Sequence, residues 1–122
     1  MNSKVFMALR ILLGVFVLVF GLNKFLHFIP MGEMPAEAGA YFGALASAKV
    51  ITLVAIVEIV AGLALIFNKY GALLALILMS VSVNAVLFHA TLAPEGIGPA
   101  LALLILNIIA LYSYKDSYKA LL

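Results

Sequence analysis

Seven side chains in this sequence bring polar chemistry into surroundings that are otherwise oily: Asn23, Lys24, His27, Glu58, Asn84, His89 and Asn107. An imidazole exchanges a proton near neutral pH, a carboxylate accepts one, and an ammonium is a point of positive charge. Amides both donate and accept hydrogen bonds. Brought together inside a bilayer, such groups could hold the polar head of a lipid-soluble molecule and hand protons to it. Asn23 and His27 are four apart and share a helix face, with Lys24 at its edge. The chain has no cysteine, which removes disulfides, thiolate metal sites and a thiol nucleophile of its own. No haem, flavin or iron–sulfur motif is present, and the sequence suggests neither a catalytic residue nor a metal site.

These residues must be carried by membrane helices. Of the 122 residues 67% are hydrophobic and only 10% charged, with a mean hydropathy of +1.29. A soluble domain carries about 25% charged residues, so this chain belongs in a lipid bilayer. One domain over 1–122 is the natural reading of the length. The formal charge of +2 is small and the basic residues are dispersed, which argues against a nucleic-acid partner. Tryptophan is absent, so Tyr, Phe, Lys and Arg must mark the interfaces. Lys4 and Arg10 precede an apolar run, as in a signal peptide, but no small-x-small cleavage site follows, and the run reads as an uncleaved first span.

A spanning helix needs roughly 20 apolar residues. Four stretches qualify, at about 9–29, 50–67, 71–89 and 97–114. The expected fold is therefore all-α, a bundle of four transmembrane helices. Pro30 stops the first span, NKYG at 68–71 is a tight link, and APEGIGP at 93–99 holds two prolines and two glycines. The longer connection has Pro35, then Glu37, then Tyr41, Phe42 and Leu45. Segment 35–48 therefore suits a short interfacial helix between spans 1 and 2, although a plain loop with some helical character also fits. With the N-terminus inside, Lys4, Arg10, Lys69, Lys115 and Lys119 are cytoplasmic against Lys49 outside, the sense of the positive-inside rule. Glu33, Glu37 and Glu95 then lie outside. Both termini are expected in the cytoplasm and the membrane is expected to be a bacterial inner membrane.

Helical rise converts these spans to depths. Asn23 and Lys24 lie about 8–9 Å below the outer end of span one and His27 about 3 Å. Glu58 lies about 12 Å down span two, Asn84 about 8 Å down span three with His89 at its outer end, and Asn107 about 15 Å down span four. Every span thus sends a polar group into the outer half or the middle. Each has a plainer explanation. His27 and His89 fit as interfacial residues, Asn84 and Asn107 as hydrogen-bond links between helices, and Lys24 as a snorkelling cation. Gly14, Gly21 and Gly62 read as close-packing positions. Glu58 resists such a reading, because an ionised carboxylate near the midplane costs about 3 kcal/mol. It must be neutral and hydrogen-bonded to Asn84 or Asn107, or paired with Lys24, whose backbone is only about 4 Å shallower, or in contact with His27.

The segments RILLGVFVLVFGLNKFLHF, VEIVAGLALIFNKYG and SVNAVLFHATLAPEG, with PAEAGAYFGAL and YSYKDSYKALL, resemble the DoxX-like membrane proteins over nearly the whole chain. The resemblance implies a four-helix membrane bundle whose recurring positions correspond to Asn23, Lys24, Glu58, Asn84 and His89. Some relatives are linked to quinone-coupled sulfur oxidation as the small subunit of thiosulfate:quinone oxidoreductase, others to membrane complexes that handle oxidative or thiol stress. Three functions are compatible with these features. One is an auxiliary subunit that binds a quinone or similar ligand in an outward-facing polar pocket. Phe20, Phe25, Phe28 and Phe88 would then lie against the ring, His27 or His89 would donate to a carbonyl, and Glu58 would pass protons. Electrons would come from a membrane or peripheral redox partner, so that the chain would not be an enzyme alone. The second is a small proton-coupled transporter, the third a scaffold whose polar core fixes helix register. A homo-oligomer is compatible with all three.

Overall fold

In a bilayer core the backbone has no water to bond, and an open apolar chain satisfies its N–H and C=O groups by forming helices. The computed structural model, which describes residues 3–28 and 34–121, is all-α among those residues. The helices are α1 (Ser3–Leu26), α2 (Ala36–Ser47), α3 (Val50–Phe67), α4 (Gly71–Thr91) and α5 (Ile97–Ser113). A 3-10 turn at Pro94–Gly96 leads into α5, and a 3-10 segment, Lys115–Leu121, follows it. α1, α3, α4 and the run Pro94–Ser113 are long and apolar enough to cross a membrane. Large apolar side chains such as Leu53, Val83 and Ile105 are at least half exposed on the outside of the bundle, as lipid-facing residues must be.

α2 is the short helix expected between the first two spans. Pro35 stands at its N-cap with Glu37 in the first turn, where an acidic side chain meets the positive end of the helix dipole. The first span departs most from expectation. α1 begins at Ser3 and ends at Leu26, whereas the apolar run suggested about 9–29. Apolarity marks the part of a helix in oil, and the helix itself continues into water through Ser3 and Lys4. At the other end His27 takes a left-handed φ of 53° while its N–H bonds the Asn23 carbonyl at 2.8 Å. The expected stop at Pro30 lies outside the described residues, as does Glu33.

The spanning helices run alternately up and down, and the bundle is built from two tight pairs. α1 packs chiefly on α3, and α4 on α5; α3 meets α4 and α5 meets α1 less extensively. Glycine makes the first pair close. A Cβ on Gly14 would lie 2.9 Å from the Gly62 carbonyl, and one on Gly62 would lie 2.8 Å from the Gly14 carbonyl, so the two backbones touch. A polar link joins the second pair. Asn107 Nδ2 donates to the Ala75 carbonyl at 3.0 Å, and Ser82 Oγ donates to Asn107 Oδ1 at 2.6 Å, both within the buried core. Leu13, Val17, Leu65 and Leu78 fill the centre. At the end remote from α2, Arg10 Nη1 donates to the Leu65 and Ile66 carbonyls at 2.5 and 3.3 Å. Those carbonyls belong to the last turn of α3, which has no helical donor for them and carries the negative end of the dipole.

Candidate functional site

Gly21 brings the chemistry of α1 and α3 together. A Cβ there would lie 3.0 Å from Glu58 Cβ and 3.1 Å from the Ala55 carbonyl, so Gly21 and Glu58 sit at one level. Lys24 is three residues further along α1, about 4.5 Å by helical rise, and its side chain bends back across that gap. Nζ lies 2.6 Å from Glu58 Oε1, an ion pair in which the lysine side chain keeps 23% of its exposure and the glutamate 4%. Of the arrangements compatible with the sequence, pairing with Lys24 is the one the structure contains.

The pair forms part of the lining of a cavity of about 780 Å³ at the α2 end of the bundle. Most of its wall is apolar, including Val50, Val54, Val81 and Leu103, and the polar groups are few: Lys24, Glu58, Ser80, Asn84, His89 and Glu95. Ser80 and Asn84, one helical turn apart on α4, are both exposed, so the cavity opens along that face. α2 covers it. Tyr41 stacks on Phe88 with ring centroids 5.4 Å apart, Phe42 meets the same ring at 6.3 Å, and all three rings line the space. A mostly apolar concavity with a few convergent polar groups is the usual form of a small-molecule site.

Four of the seven candidate residues, Lys24, Glu58, Asn84 and His89, line this cavity. Asn23 is buried in α1 but outside the lining. Asn107 is also outside it, and its amide is occupied by Ser82 and Ala75, so it serves as a link between α4 and α5. His27 is exposed beyond the end of α1 and lies in neither the cavity nor contact with Glu58, because the left-handed turn carries it out of the helix. Of the aromatics expected near the site only Phe88 lines it. Phe25 and Phe28 are about half exposed at 47% and 52%, and Phe20 packs on Phe16.

His89 is held more firmly than its position at a helix end suggests. Its Nδ1 is 3.0 Å from the Ala93 carbonyl, which also accepts the Gly96 N–H at 3.1 Å. The ring lies against Gly96, where a Cβ would come within 2.5 Å of Cε1. A carbonyl only accepts, so Nδ1 carries the hydrogen and the donor of the neutral ring is spent on the backbone. The roof aromatics Tyr41 and Phe42 and the Gly96 contact were not assigned to the site from sequence. Tyr41 and Phe42 were visible as an interfacial pattern, and nothing in the sequence ties Gly96 to His89.

Residues 5–91 match the family model for DoxX, which is more than half of the chain. The chain belongs to the DoxX family. No curated protein and no solved structure matches it. The family match runs from α1 to the end of α4 and so includes Lys24, Glu58, Asn84 and His89, while Asn107 on α5 lies beyond it. With four apolar helices of spanning length, this DoxX protein is an integral membrane protein and the lipid bilayer is its surroundings.

Proposed function

We propose that this DoxX protein is the ligand-binding membrane subunit of a redox complex and holds a lipid-soluble ring compound such as a quinone in the cavity under α2. The observation that carries the reading is the cavity itself: about 780 Å³, largely apolar, with the buried Lys24–Glu58 pair in its wall and aromatic rings in its roof. Its size falls in the range that encloses a cofactor head, and Phe88 with Tyr41 offers a flat face for a ring. Lys24, Glu58, Asn84 and His89 form the polar contacts in this reading. Electrons come from a partner protein, and any thiol or sulfur step also falls to the partner, since the chain has no cysteine. The cavity faces outward and both termini are cytoplasmic: Lys4, Arg10, Lys69, Lys115 and Lys119 are assigned to the end remote from α2, in keeping with the positive-inside rule. In a bacterium the membrane is the inner one.

The test is native mass spectrometry of the protein in lipid nanodiscs, wild type against Glu58→Gln, with organic extraction and spectra of what is released. Retention of a quinone or similar amphiphile by wild type and its loss in Glu58→Gln is the expected result. An empty wild type refutes the reading and leaves the pair as a device of helix packing.

A further inference from the structure

The polar side chains lining the cavity differ in what they ask of a ligand. Lys24 is a donor. Glu58 Oε1 is a buried acceptor already paired with Lys24 Nζ at 2.6 Å. His89, with Nδ1–H given to the Ala93 carbonyl, keeps only the lone pair at Nε2 in its neutral ring. The orientation is fixed from two sides. The Ala93 carbonyl has its second lone pair on the Gly96 N–H, and the ring lies against Gly96, where any side chain would collide with it. A ligand carbonyl facing His89 Nε2 would set two lone pairs against each other, whereas a hydroxyl donates to it and can still accept from Lys24.

We infer that the cavity selects ligands presenting a hydroxyl over ligands presenting only carbonyls, with His89 Nε2 as a specificity-determining acceptor held in place by Ala93 and Gly96. The inference rests on the reading of the cavity as a ring-compound site. For a quinone-type molecule it means that the reduced hydroquinol is the preferred form. One hydrogen bond gained in the reduced form and an unmatched acceptor in the oxidised form amount to about a tenfold difference in affinity. Such a preference raises the potential of the bound couple by about 30 mV for two electrons.

The experiment uses the full chain in nanodiscs, without oxygen and at mildly alkaline pH, with a short-tailed benzoquinone and its hydroquinol as separate probes. The expected result is hydroquinol binding about tenfold tighter than quinone, with His89→Leu bringing the two affinities close together. Nitrogen NMR of wild type with labelled histidine, assigned by removing His27, checks the geometry without altering the site. It is expected to find Nδ1 protonated and Nε2 bare. Quinone binding as tightly as hydroquinol, or a ring protonated at Nε2 alone, overturns the inference and leaves the ring-compound site standing. Binding of neither probe overturns both.

Discussion

Lys24 and Glu58 are not equivalent partners, and their removal should have unequal costs. At the observed 2.6 Å the attraction is about 6 kcal/mol for an effective dielectric near 20. Desolvating a carboxylate with 4% exposure takes back several kcal/mol, so the intact pair is close to break-even against apolar residues of the same volume. Lys24→Met leaves a short carboxylate at a depth from which it reaches no water, and should destabilise the bundle by about 3 kcal/mol. Glu58→Leu leaves a lysine with 23% exposure and a long stem, free to carry its ammonium toward the headgroups, and should cost about 1 kcal/mol. The double variant Lys24→Met with Glu58→Leu should fall within about 1 kcal/mol of wild type, giving a coupling of about 3 kcal/mol. Steric-trap unfolding in bicelles measures all four proteins under native lipid conditions. Equal costs for the two single variants, or a coupling below about 1 kcal/mol, would refute the pair as the solution to the buried charge.

Asn107→Leu should lower stability by about 1 kcal/mol, the scale of polar links between membrane helices, without changing ligand retention in nanodiscs, because the amide serves Ser82 and Ala75 outside the cavity. The lack of native cysteine makes topology directly measurable. A single cysteine at Lys69 should react with an impermeant maleimide only in inside-out vesicles, and one at Gly43 only in right-side-out vesicles.

Much of the architecture was legible because apolar length and punctuation respond to the bilayer alone. NKYG and the run from Pro94 separate helices at the expected places, and α3 begins and ends at the expected residues. The Lys24–Glu58 pair was legible for a related reason: two antiparallel helices of known rise place residues by depth, and a buried carboxylate has few ways to be satisfied. What depth cannot supply is azimuth and local backbone shape. Asn107 has the right depth for the cavity but its amide is taken up by Ser82 and the Ala75 carbonyl, outside the lining. His27 has the right spacing from Asn23, but a left-handed residue takes it off the helix before that spacing counts. The fixing of His89 depends on a carbonyl four residues away and on an absent side chain at Gly96, both features of a turn with no periodicity to read.

The short turn at 68–71 ties α3 to α4 at one end, while the cavity separates them at the other and opens past Ser80 and Asn84. A molecule reaching this opening along the α4 face arrives from among the acyl chains and need never dissolve in water. The concentration that governs its occupancy is then a mole fraction in one leaflet. Diluting the same protein and ligand with extra lipid should empty the site, while diluting them with buffer should leave it filled.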